Sequence, residues 1–290
     1  MKDLSEKIEK IILQHGERGM DRLQKSLKPG YCRRAAQMIL DNKGVVIIGT
    51  GFPVSGSFES DGPISAISLY RVLTHLDYEP VFACAPPISK ILSNRYTTYE
   101  LPLVGWDESR PAIKKALTDL NPSLIVSIER PGVTADGRYY NMRKEDITEF
   151  TAKFDLFFKE SQCPCIAFGD GGNEIGMGNV MKALSNLDII PSVTTCDELV
   201  IASVSNWGVY GVIAALCDLL NRDLIEFIDP EPIANYLVAN GCVDGVTNRQ
   251  EASEDGFPLE ISKSIIQQLR DLVFTSDQDL HGSIQIPNPD

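Results

Sequence analysis

The sequence predicts an α/β fold, a mainly parallel sheet with helices on both faces. Three observations carry this. The runs at 45–48, 124–128 and 165–168 are short and apolar but for Ser127, the texture of strands buried on both sides. Each run ends in a polar loop containing glycine, and a segment of helical composition follows each loop. Strands alternating with helices build parallel sheets, and such sheets gather their ligands at the carboxyl ends of the strands.

In chain order, residues 4–27 read as one or two charged helices, with Ile8, Ile11, Ile12, Met20, Leu23 and Leu27 in apolar stripes and Pro29-Gly30 as the stop. A helix over 31–40 leads through Asn42-Lys43-Gly44 into the first strand. The loop from Gly49 ends at Pro63, which suits the first turn of a helix over 64–76. Next come a short strand at 80–84, a helix-like segment opened by Pro86-Pro87, and a strand at 101–104. The pattern then predicts a helix over 110–120, the strand at 124–128, a polar loop through Asn141, and a helix over 144–158. After the strand at 165–168 come helical composition at 179–184, a strand at 198–203, an apolar helix at 207–220, and helices at 231–240 and 261–274. The tail 277–290 reads as weakly ordered. No repeat, low-complexity linker or shift of composition divides the chain. The expectation is one α/β domain over 1–290, Rossmann-like and three-layered, with the helices of 1–43 packed on it.

Hydrophobic residues make up 43% of the 290, enough for a substantial core. A net charge of -13 and a pI near 4.7 leave no basic stripe for nucleic acid or an anionic membrane. A local pocket can still take an anionic substrate. The first ten residues are charged and lack the apolar stretch of a secretory signal, and no apolar run reaches membrane length. Seven scattered cysteines suit a reducing compartment, so a cytoplasmic location is expected. The apolar helix at 207–220 reads as core, with the interface of a homo-oligomer as its other reading.

Three strand-end loops, 49–63, 129–141 and 169–178, open on the same edge of a parallel sheet. They bring Asp61, Glu129, Arg130, Asp136, Arg138, Asn141, Asp170, Asn173 and Glu174 toward one cleft. The last loop, Gly169-Asp170-Gly171-Gly172-Asn173-Glu174-Ile175-Gly176-Met177-Gly178, mixes polar side chains with glycines whose N–H groups can approach a ligand. Neither glycine loop matches a nucleotide fingerprint. Val54 breaks the pattern begun by Gly49 and Gly51, and Met177 stands where a phosphate-binding loop has lysine. No cofactor is required by these residues, although Asp61, Asp170 and Glu174 offer ligands for Mg²⁺ or another divalent cation. Plainer readings exist beside these: Asn173 as a helix N-cap, Glu174 as complement to a helix dipole, Arg130 in a structural ion pair. Cys163 and Cys165 read as core thiols, and His15, His75 and His281 are too dispersed for a zinc site or a triad.

The segment 169–178, with Glu59-Ser60-Asp61-Gly62-Pro63, Glu129-Arg130-Pro131-Gly132 and Tyr140-Asn141-Met142, resembles the C-terminal domain of the D-glutamate cyclase family, over about 44–240. The resemblance implies conversion of D-glutamate to 5-oxo-D-proline and water, a hydro-lyase reaction on a small amino acid or dicarboxylate. Eukaryotic members sit in the mitochondrial matrix and carry an additional N-terminal domain. Residue chemistry fits such a lactamisation. Asp170 or Glu174 would take the ammonium proton, with Asn173 beside them and a neighbouring acid protonating the departing oxygen. The N–H groups of Gly171 and Gly172 would stabilise the oxyanion, Arg130 or Arg138 would clamp a carboxylate, and Asp61, Glu129 and Asn141 would contact substrate. Two other readings are another carboxylate or metal enzyme of the same fold acting on a small anionic metabolite, and a non-catalytic domain that binds an amino acid and regulates a partner.

Overall fold

A computed structural model describes residues 2–16, 18–54 and 56–275, so the tail at 277–290 lies outside the described residues. Among them, six strands form an all-parallel sheet: β1 Val45–Thr50, β2 Glu79–Cys84, β3 Thr98–Glu100, β4 Leu124–Ile128, β5 Cys165–Gly169 and β6 Glu198–Ile201. Their spatial order is β3-β2-β1-β4-β5-β6. Ile47 lies opposite Val81 on one side and Ile125 on the other, and Ile166 lies between Val126 and Glu198. The order reverses between β1 and β4, which leaves a crevice beyond their carboxyl ends. The central strands are buried on both faces, which is why they read as apolar runs, interrupted only at the buried Ser127 within the three that the sequence marks.

The described residues form eleven α-helices: α1 Lys2–Ile12, α2 Met20–Leu23, α3 Tyr31–Asp41, α4 Pro63–His75, α5 Ile88–Leu92, α6 Trp106–Leu120, α7 Asp155–Glu160, α8 Met181–Leu184, α9 Ser205–Leu220, α10 Pro230–Ala239 and α11 Leu259–Thr275. Helix α9 is central, packed on β4, β5 and β6 and flanked by α1, α3, α4 and α11. Its residues from Ser205 through Cys217 are all buried, as expected of a helix that is apolar nearly all round. Across the sheet α6 and α7 pack on each other, and the ring of Phe154 lies over Gly49 of β1. The result is a three-layer, Rossmann-like α/β fold.

Three expected elements differ. The segment 4–27 is broken after Ile12 and resumes only as α2 and a 3-10 turn, Gln24–Ser26. The strand expected at 101–104 lies instead at Thr98–Glu100. The N–H of Leu101 still reaches Cys84 O at 2.9 Å, but Pro102 has no N–H with which to continue the ladder. The helix expected over 144–158 shrinks to a 3-10 turn, Thr148–Phe150, followed by α7. There Lys144 has φ 63°, Asp146 accepts the N–H of Thr148, and the ammonium of Lys153 donates to the carbonyls of Thr148 and Thr151. These local bonds compete with a helical ladder and win.

A β-carbon on Gly49 would lie 2.4 Å from the Phe154 ring. Gly49→Ala should therefore cost about 1–3 kcal/mol of stability, read as a lower urea midpoint. An unchanged midpoint would show that the ring does not sit there.

Candidate active site

The cleft is built around the start of α9. The chain arrives extended at Val204, so the first N–H groups of the helix have no partner within it. They meet carboxylates instead. Ser205 N donates to Asp61 Oδ2 at 3.0 Å and to Asp170 Oδ2 at 3.1 Å, and Asn206 N donates to Asp61 Oδ1 at 2.9 Å. The Ser205 hydroxyl donates to Glu129 Oε2. Asn206 Oδ1 in turn accepts the N–H groups of Gly62 at 3.0 Å and Ser65 at 3.1 Å, tying the start of α9 to that of α4. The partial positive charge of a helix N-terminus favours carboxylates at this place.

Glu129 leaves β4 with φ 46°, a left-handed conformation uncommon for a residue with a side chain and a frequent mark of functional sites. Gly62 faces it with φ 88°, and a β-carbon there would lie 2.7 Å from that of Glu129. The neighbouring loops are laced together by backbone bonds, Gly132 N to Asn173 O at 2.8 Å and Ile175 N to Arg130 O at 2.9 Å.

Six carboxylates meet here: Glu59, Asp61, Glu129, Asp170, Glu174 and Asp255, each 9% exposed or less. Against them stands Arg18, from the break between α1 and α2. Its guanidinium donates to Asp170 Oδ1 at 2.6 Å and to Asp255 Oδ1 at 2.5 Å. Burial works against the charge on Arg18, but Asp170, Asp255 and Glu129 outweigh it and hold the group protonated. Burial pushes Glu59, Asp61 and Glu129 well above the usual carboxylate range. The next cause is Asp255 for Glu59 and Asp170 for the other two. Glu174 and Asp255 both rise to about 7, through burial first and Asp170 second. The carboxylate of Glu59 has no hydrogen-bond partner among the described residues, and it borders the open cleft.

The residues expected from sequence divide into two groups. Asp61, Glu129 and Asp170 converge, and Asn141, Gly171, Asn173 and Glu174 line the cleft. Arg130 and Arg138 do not reach it. The Arg130 guanidinium is buried against Gly51 O at 2.7 Å and Ala152 O at 2.9 Å, where it fastens two loops, and Arg138 is exposed beside Asp146. The N–H groups of Gly171 and Gly172 are already taken, each 2.7 Å from a carboxylate oxygen of Glu174, so they are not free for an oxyanion. Asn173 caps no helix; its amide donates to Tyr140 O at 3.0 Å. Sequence reading missed Arg18, Ser205, Asn206 and Asp255 as site residues. It passed over Glu59, which had a signal in standing two residues from Asp61 on a strand-end loop.

Oxygens of Asp61, Glu129 and Asp170 lie within 4.8 Å of one another, a set that can hold a metal ion. Glu129 thus takes the place in that set expected for Glu174. Three carboxylates form a hard donor set suited to Mg²⁺ or Mn²⁺. The cleft holds about 610 Å³, with buried acids at its inner end and both apolar and charged side chains toward its mouth.

The model of the family described as "D-glutamate cyclase-like, C-terminal" matches residues 8–270. The chain belongs to that family. The match takes in the whole acid cluster, from Arg18 to Asp255. A human relative, "D-glutamate cyclase, mitochondrial", is 31% identical over 208 residues, 62% of this chain and 34% of the relative. The chain therefore spans about a third of that protein's length. Among solved structures, MurG of Acinetobacter baumannii aligns over 56% of this chain and 46% of its own at 11% identity and a TM-score of 0.32, too slight a likeness to inform fold or function. No helix among the described residues is long and apolar enough to cross a membrane.

For this member of the D-glutamate cyclase-like family, the acids impose a pH dependence on stability. Glu174 and Asp255 of the cluster, and Glu9, buried on α1 beside Cys32 and outside the cluster, all rise to about 7 in the folded chain, from ordinary values of 4.5, 3.8 and 4.5. Between about pH 4 and 7 the folded state binds the extra protons, so their contribution is full below pH 4 and lost as pH rises through 7. The loss is at most about 1.4 kcal/mol per pH unit for each group. A melting temperature that falls from pH 5 to pH 8 is expected, and one that rises would contradict the cluster.

Proposed function

We propose that this chain closes D-glutamate to 5-oxo-D-proline with loss of water, as a hydro-lyase. The observation that carries the reading is the set of six buried carboxylates gathered beside Arg18, in a chain of the D-glutamate cyclase-like family. Lactam formation needs opposite proton transfers at two places. The α-ammonium must lose a proton before its nitrogen can attack, and the γ-carboxyl oxygen must gain one before it leaves. Glu174, near 7 and held by two backbone N–H groups, suits the base. Glu59, without a hydrogen-bond partner among the described residues and pushed well above the carboxylate range, suits the acid.

The nitrogen sheds two protons and the departing water carries two, so acid and base are restored once a proton passes between them. Arg18 has N–H donors beyond those given to Asp170 and Asp255, and these would hold a substrate carboxylate. Asp61 and Glu129 would receive the substrate ammonium or, with Asp170, hold a divalent cation. Such an ion would add Lewis-acid activation of the γ-carboxyl group. The same triad supports a second reading, a carboxylate–metal enzyme acting on another small anionic metabolite.

Glu174→Gln should lower kcat for 5-oxoproline formation by about 100- to 10,000-fold. In the unmodified protein kcat/KM should rise about tenfold per pH unit and level off above about 7. Full turnover by the variant would remove Glu174 from the mechanism. Mg²⁺ or Mn²⁺ should raise the melting temperature at pH 8, and Asp61→Asn should abolish that rise. The absence of any rise in the unmodified protein would count against the metal site.

A further inference from the structure

The cleft is larger than free glutamate needs, and one continuous part of the surplus wall is apolar. A cavity of about 150 Å³ holds benzene with its six heavy atoms, so the ten of glutamate call for roughly 250 Å³. The cleft offers about 610 Å³. Beyond the acids its wall is supplied by segments that follow β1, β2, β3 and β4: Phe52, Pro87, Leu103, Met142, Ile147 and Phe150. Phe52 and Ile147 are anchored in a buried cluster with Val133 and Tyr139, which makes this wall fixed. Leu103, Met142 and Phe150 form its mouth and are 39%, 39% and 60% exposed. Free glutamate has charged groups at both ends and only two methylenes between them. It has nothing to place along such a wall.

We propose that the cleft also takes γ-glutamyl amides of apolar amines and releases the amine as the glutamyl part closes to 5-oxoproline. This rests on the lactam-forming reading above. The α-amino and α-carboxylate groups would occupy the acid end beside Arg18, and the substituent on the γ-nitrogen would lie along the apolar wall. The chemistry balances without a co-reactant. The α-ammonium gives one proton to a carboxylate, its nitrogen bonds to the γ-carbonyl carbon and then gives up a second; the carbon–nitrogen bond of the amide breaks, and the leaving nitrogen takes up two protons through the carboxylic acids and departs as an ammonium ion. A neutral amide is also a better acyl acceptor than an ionised γ-carboxylate, whose charge repels the attacking nitrogen and the acids around it.

The purified 290-residue chain would be given D-glutamate, its γ-methylamide and its γ-benzylamide, with 5-oxoproline and released amine quantified by chromatography. The benzylamide should show kcat/KM about tenfold or more above the methylamide. A Leu103→Asp/Phe150→Asp variant, altered only at the exposed mouth, should cut that preference to about threefold or less. Its turnover of free D-glutamate should be unchanged. Turnover of glutamate without turnover of either amide, or equal turnover of both amides, would overturn this inference alone and leave the apolar wall to some other occupant. No 5-oxoproline from any of the three would overturn the lactam-forming reading, and the inference with it.

Discussion

The structure depends on the meeting of carboxylates with the N-terminus of α9. Burying one ionised carboxylate costs several kcal/mol unless hydrogen bonds and opposite charge offset it. Here Asp61 and Asp170 receive the N–H groups of Ser205 and Asn206, Glu129 receives the Ser205 hydroxyl, and Arg18 spans Asp170 and Asp255. The rest of the fold holds this arrangement in place. Helix α9 is buried through most of its length, so its first turn is fixed relative to the ends of β4 and β5. Gly62 leaves room for Glu129, and Asn206 locks the start of α4 against that of α9.

These compensations are incomplete, and the incompleteness is what gives the site its chemistry. One guanidinium and one helix terminus do not neutralise six acids, so burial and mutual repulsion push Glu59, Asp61 and Glu129 well above the usual carboxylate range. A group of that kind can donate a proton, and one near 7 can accept one. The same frustration makes the cluster ready to receive a cation, whether a substrate ammonium or a divalent ion. Location follows from topology: the strand order reverses between β1 and β4, and the loops after those strands supply Glu59, Asp61 and Glu129.

The sheet was legible in the sequence because strands buried on both faces leave near-continuous apolar runs. The helix expected over 144–158 was not, since side-chain bonds from Asp146 and Lys153 stabilise turns that periodicity cannot register. In the site, Asp61, Glu129, Asp170 and Glu174 were legible as polar residues at strand ends. Arg18 was hidden because its partner Asp170 lies 152 residues away, and its own surroundings read as part of one or two charged helices. Ser205 and Asn206 act largely through backbone N–H groups and leave no compositional trace. Arg130 misled because a guanidinium satisfied by carbonyls and one poised for substrate look alike in one dimension.

The central claim, that the acid cluster at the start of α9 is where the lactam forms, is tested most directly by a crystal structure with 5-oxo-D-proline bound. The account predicts the ring within hydrogen-bonding distance of Glu174 and Glu59, with its carboxylate on Arg18. Product bound away from the cluster, or in the cleft with its carboxylate turned from Arg18 and its ring nitrogen out of reach of Glu174, would contradict it.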